Sequence, residues 1–184
     1  PQRTLEKVFG KNGSWMWEKA NGIDMSTIVP YSAQKSMSKE STYEKDTSDV
    51  AFLRQEIIRM VSELSYDLRN MQHTTGCITV KIRYADFDTQ TKQASVPYTA
   101  SDHVLRKYAL DLFQKLYNRR IMIRLIGIRL SKLVSGGMQL NLFDNSALTA
   151  PLYIAMDRIR LKHGIASLKP ASIMATGKTQ RSPY

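Results

Sequence analysis

Eight residues near the middle of the chain, Cys77-Ile-Thr-Val-Lys-Ile-Arg-Tyr84, alternate strictly between apolar and polar side chains. An extended strand points successive side chains to opposite faces, so Ile78, Val80, Ile82 and Tyr84 share one side while Thr79, Lys81 and Arg83 share the other. Such a strand needs a core on one face only and leaves the second face free to meet something polar. The fold must therefore contain a sheet with one covered face and one cationic face.

On both sides of this strand the hydrophobic period changes from two to nearly four. Val50, Leu53, Ile57, Met60, Val61, Leu64 and Leu68 recur at helical steps behind the N-cap candidates Asp46, Thr47, Ser48 and Asp49, and Gly76 breaks the pattern. Leu105, Tyr108, Ala109, Leu112, Phe113 and Leu116 do the same behind Ser101 or Asp102 and predict a second helix ending near Asn118. Residues 36–43 form a short strand candidate with few apolar positions. Residues 86–89 read as a turn and 91–99 as the second arm of a hairpin. Residues 121–133, rich in branched side chains, predict a long strand with Ile126, Ile128 and Leu130 in register, and Arg124 departs from that register because it shares their parity. The order predicts an α+β fold, a two-layer β-α-β-β-α-β sandwich in which two helices cover one face of a four-stranded, mostly antiparallel sheet. The open face would present Lys81, Arg83, Arg129 and hydroxyl groups, a surface suited to phosphates.

The flanks divide from this block. Residues 1–24 read as two short helices hinged at Gly10 to Gly13 and capped by Gly22. Leu5, Val8, Phe9, Trp15 and Met16 need cover that helices of this length cannot supply alone, and packing accounts for Trp15 and Trp17. Residues 25–35 form a linker, 36–134 the main domain and 135–184 an appendage. In that appendage Gly136-Gly-Met138 closes the domain, Gln139-Leu-Asn-Leu-Phe143 follows as an apolar pentapeptide, and Leu152, Ala155, Met156 and Ile159 mark one face of a short helix stopped at Gly164. The basic remainder, from Ile165 onward, is expected to be mobile.

Lys and Arg total 27 against 16 Asp and Glu, a formal net charge of +11 that favours a polyanionic partner. Cys77 is the single cysteine, so no intramolecular disulfide forms, and His73, His103 and His163 lack metal-ligand spacing beside it. Asp86 and Asp88 lie in a turn without a third carboxylate, which a turn explains better than a metal site. No catalytic or metal-ligating residue is expected. No apolar run reaches the roughly 20 residues that span a bilayer. An opening at Pro1 without signal-peptide blocks predicts a fragment of a cytoplasmic protein, without a membrane partner.

Four segments then carry a family resemblance. Leu5-Glu-Lys-Val-Phe-Gly-Lys11 with Ala20-Asn-Gly-Ile-Asp24 resembles the end of the thumb in Y-family DNA polymerases of the DinB, or DNA polymerase IV, type. Lys35-Ser-Met-Ser-Lys-Glu-Ser-Thr-Tyr-Glu44 resembles the first strand of their little finger, Val80-Lys-Ile-Arg-Tyr-Ala-Asp-Phe87 the second, and Ile126-Gly-Ile-Arg-Leu-Ser131 the last. The resemblance implies that thumb and little finger hold a primer-template duplex from opposite sides, largely through phosphates. The residues matching that role are Ser36, Ser38, Lys39, Lys81, Arg83, Arg124, Arg129 and Lys132, with Arg124 reaching DNA from the strand's end. Gln139, Leu140, Asn141, Leu142 and Phe143 are similar to the sliding-clamp-binding pentapeptide of bacterial polymerases, departing at Asn141.

Together these imply a non-catalytic, monomeric DNA-holding and clamp-tethering part of a translesion polymerase. Its parent would use Mg2+ on palm carboxylates that this chain lacks. The alternative is a stand-alone RNA-binding module of RRM-like element order, which would carry aromatic residues where Thr79, Lys81 and Arg83 stand. A purely structural interaction domain is a third reading.

Overall fold

The computed structural model describes residues 1–28, 34–136 and 146–174, apart from the side chains of residues 146–149, 172 and 174. It divides into two compact units, Pro1–Ala33 and Gln34–Tyr184.

The first unit is a pair of helices, α1 (Gln2–Phe9) and α2 (Lys11–Ala20). Gly10 turns the chain between them at a φ of 58°, and Gly22 leaves α2 at 75°, both in the left-handed region that glycine enters without a Cβ penalty. Gly13 lies within α2, where a Cβ would stand 2.1 Å from the Leu5 carbonyl oxygen. The missing side chain is what lets the two helices touch. Ser14 Oγ adds a hydrogen bond to Glu6 Oε1 at 2.9 Å. Packing does not account for Trp15, which is 62% exposed. A helix pair of eighteen residues offers too little surface to cover its own aromatic groups.

The second unit is the two-layer sandwich. Its elements are β1 (Ser36–Thr47), α3 (Val50–Asn70), β2 (His73–Tyr84), β3 (Thr89–Thr99), α4 (Asp102–Leu116), β4 (Ile123–Ser135), α5 (Ser146–His163), a 3-10 turn (Ile165–Ser167) and α6 (Ala171–Met174). The strands run in the order β1-β4-β2-β3, every neighbour antiparallel. Asp49 starts α3 by accepting hydrogen bonds from the Ala51 and Phe52 amides at 2.9 and 3.1 Å. Leu53, Ile57, Met60, Leu64 and Leu68 of α3 and Leu105, Leu112 and Phe113 of α4 bury against Ile78, Val80, Ile82, Ile126, Ile128 and Leu130. Among the described residues no helix is long and apolar enough to cross a membrane.

Three local features differ from the periodicity reading. The helix α3 stops at Asn70 rather than Gly76; Gln72, at a φ of 54°, reverses the chain and β2 starts at His73. Gly76 sits inside β2 because a Cβ there would lie 2.8 Å from the Tyr98 ring. On β4, Leu125 pairs with Arg83 whereas Ile123 pairs with Tyr84, so Arg124 is an extra residue at a β-bulge. The bulge moves the core-facing parity from Ile123 to Ile126, which is why Arg124 breaks the alternation.

The helix of the appendage, α5, is docked on α3 and α4. Arg69 of α3 donates from Nε and Nη2 to both carboxylate oxygens of Asp157, at 2.6 and 2.9 Å. Arg160, only 2% exposed, donates to Ser62 Oγ at 2.9 Å, and Tyr153 Oη lies 2.6 Å from His103 Nδ1. Beyond it, α6 lies against α3. These contacts are polar, so the apolar spacing that marks α5 as a helix does not point to its docking face.

Candidate nucleic-acid interface

Cross-strand register decides which side chains share the uncovered face. Ser36, Ser38 and Glu40 on β1 stand opposite Ser131, Arg129 and Gly127 on β4. On the other side of β4, Cys77, Thr79 and Lys81 of β2 meet the same three residues, and Arg83 meets Leu125. Ser95, Gln93, Thr91 and Thr89 of β3 complete the rows. Neither α3 nor α4 covers this side, since their contacts are to Ile78, Val80, Ile82, Ile126, Ile128 and Leu130 of opposite parity.

Of the eight residues expected to hold DNA, the structure brings Ser36, Ser38, Lys81, Arg83 and Arg129 to this face. Arg129 Nη2 donates to Ser36 Oγ at 3.1 Å, and Arg83 Nε to Thr89 Oγ1 at 2.8 Å. Both guanidiniums keep most of their donors for another partner. Lys81 Nζ is placed differently, 3.0 Å from each carboxylate oxygen of Glu40.

The other three fall outside the rows. Lys39 pairs with Ile128, on the helix-covered side, and its ammonium meets Glu63 at 2.9 Å and Asp67 at 3.5 Å on α3. Arg124, second residue of β4 and at the bulge near the start of that strand, lays its guanidinium 4.6 Å from the centre of the Phe87 ring in the β2–β3 turn. Lys132 is exposed, at a left-handed φ of 55°. The pentapeptide Gln139 to Phe143 lies outside the described residues.

Ion pairs on the helix side set the protonation of their members. Burial alone would raise Glu63, but hydrogen bonds and charge from Lys39 and Arg59 outweigh it and hold the carboxyl below its usual range. Tyr153 is pushed upward, mainly by burial.

The turn carboxylates are also committed. Asp86 Oδ1 accepts from the Asp88 amide at 3.0 Å, and Asp88 Oδ2 accepts from Arg119 at 2.7 Å and Gln90 at 3.1 Å. Among the described residues no group of three or more His, Cys, Asp or Glu could hold a metal ion. They do not fit the carboxylate site that Mg2+-assisted phosphoryl transfer needs.

The sheet is thus covered by helices on one side and presents cations and hydroxyls on the other, the frame of a two-layer α+β domain. The impB/mucB/samB family C-terminal domain matches residues 34–142, and the chain belongs to that family. The chain is 30% identical over 183 residues to DNA polymerase IV of Dehalococcoides mccartyi, covering 98% of itself and 45% of the relative. It is 32% identical over 167 residues to DNA polymerase IV of Clostridium acetobutylicum, covering 87% and 41%. It thus spans less than half the length of these curated relatives. Among solved structures, a Y-family DNA polymerase chimera shares the fold at a TM-score of 0.52 and 23% identity, over 74% of this chain and 39% of that one.

Proposed function

We propose that this chain is the DNA-holding, non-catalytic part of an error-prone polymerase of the DNA polymerase IV type, and that it grips duplex DNA through phosphates on the open sheet face. The observation that carries the reading is the alignment of Lys81, Arg83 and Arg129 with Ser36, Ser38, Thr79 and Thr91 on a surface that neither α3 nor α4 covers. Cations and hydroxyls at strand spacing suit a repeating phosphate backbone and carry little sequence information. The RNA-binding alternative is not favoured, because Thr79, Lys81, Arg83, Thr89, Thr91 and Gln93 occupy positions where a stacking platform would place aromatic rings.

The reading includes a tether. Leu140, Leu142 and Phe143 supply apolar anchors and Gln139 directional hydrogen bonds for a pocket on a sliding clamp, and holding DNA at the same time makes that contact effectively intramolecular. It also carries a monomeric state, a cytoplasmic location and, for the parent enzyme, Mg2+ on carboxylates outside this chain.

The test is titration of labelled duplex at several salt concentrations. Substituting Lys81, Arg83 and Arg129 together by Ala should weaken all duplexes alike and flatten the salt dependence, which amounts to about 0.9 log units per log unit of salt for each phosphate contacted. Salt-independent binding, or an unchanged slope in the triple variant, would overturn the reading. Leu142→Ala with Phe143→Ala should remove clamp binding and leave duplex affinity intact. Template-directed primer extension by the chain alone would contradict its non-catalytic role.

A further inference from the structure

Glu40 is an acidic group in the middle of a cationic face. It stands on β1, Lys81 stands on β2, and both pair with the same residue of the intervening strand, Gly127. A side chain at that position would separate them. A Cβ built on Gly127 lies 2.7 Å from Glu40 Cγ and 3.2 Å from Cδ. The glycine therefore leaves a hollow, bordered by Thr79, Lys81 and Arg129, across which Glu40 reaches Lys81. Both carboxylate oxygens lie 3.0 Å from the ammonium, with the Lys81 side chain 29% and that of Glu40 40% exposed.

A carboxylate bound by both oxygens to a lysine on a phosphate-binding surface has the charge sign and acceptor chemistry of a phosphodiester. We infer that Glu40 is an internal substitute for a backbone phosphate, which occupies Lys81 and withholds it from DNA. Resting on the function proposed above, this narrows it: Arg83 and Arg129, whose contacts on this face are to neutral hydroxyls, make the working contacts, and Lys81 is held in reserve. The consequence is a grip weaker than its count of cations suggests, as suits a surface that must release one stretch of duplex to hold the next.

Glu40→Gln tests the inference in the full chain, because glutamine keeps the shape over Gly127 while removing the charge. Labelled duplex is titrated across a range of salt with wild type, E40Q, K81A and the E40Q/K81A pair. E40Q should bind roughly three- to tenfold more tightly and steepen the salt slope by up to about 0.9, the contribution of one newly engaged lysine. K81A alone should lower the slope by less than one full contact, and in the E40Q background it should abolish the gain. Three outcomes would overturn the inference: E40Q binding no more tightly, E40Q tightening equally with and without Lys81, or K81A alone lowering the slope by a full contact. An R83A/R129A variant separates the levels. If it binds duplex like wild type, the DNA-holding function itself fails; if it binds weakly while E40Q shows no gain, only the role of Glu40 fails.

Discussion

Arg69 holds Asp157 by both edges, Nε to Oδ2 at 2.6 Å and Nη2 to Oδ1 at 2.9 Å, across 88 residues of sequence. The remaining guanidinium nitrogen, Nη1, reaches Asp102 Oδ1 at 2.5 Å and the Ala100 carbonyl at 2.7 Å. One side chain thereby joins α3, the start of α4 and α5. Removing one carboxylate leaves a largely buried cation underused, which costs far more than an exposed pair would. Asp157→Ala is expected to cost about 3 kcal/mol at the α5 contact. Amide exchange should accelerate along α5 while β2 and β4 stay protected.

The Lys39, Glu63 and Arg59 cluster gives stability an acid limb. Glu63 is held below its usual range in the folded state, so its contribution is complete above the ordinary glutamate value of about 4.3 and is lost as pH falls through the depressed one. Melting temperature should drop on acidification in that window. Glu63→Gln should be less stable than wild type at neutral pH and show a shallower decline below pH about 4.3.

Lys39 and Arg129 are both cations on adjacent strands, yet they should fail differently. Lys39→Ala removes ion pairs to Glu63 and Asp67 that are about a third exposed, for a loss of roughly 1 kcal/mol or less in stability and little change in duplex affinity. Arg129→Ala should weaken duplex binding and leave the melting temperature nearly unchanged. Thermal melts and salt-dependent titrations on both variants separate the two faces of the sheet.

Gly13 is where α1 and α2 touch. Because a Cβ there would meet the Leu5 carbonyl at 2.1 Å, and backbone atoms cannot rotate aside as a side chain can, Gly13→Ala should force the two helices apart. Amide exchange and protease cleavage within residues 1–24 should both increase, despite the better intrinsic helix propensity of alanine.

Much of the second unit was legible because its signals are local. Period-two alternation at Ile78 to Tyr84 and helical spacing from Leu53 to Leu68 each arise within a single element and predict the burial found, whereas Val50, at the start of α3, is exposed. The strand β1 was harder to read by face. Met37 is its one fully buried apolar residue in a polar run, with Tyr43 only partly buried, so Lys39 could be assigned to the wrong side although its parity matches that of both. Arg124 broke the pattern for a reason the pattern cannot express, an added residue that resets the register on one strand.

The sequence by itself determined the element order, the two-layer class and the presence of a cationic strand face, because hydrophobic period and chain direction suffice for these. Only the tertiary structure decided which charges meet. Glu40 faces Lys81 because the β1-β4-β2 order sets both beside a glycine, and α5 is held by Arg69 and Ser62 because packing brings polar groups from distant segments together. Electrostatic pairing depends on separation in space, and a pair 41 or 88 residues apart leaves no period in the chain.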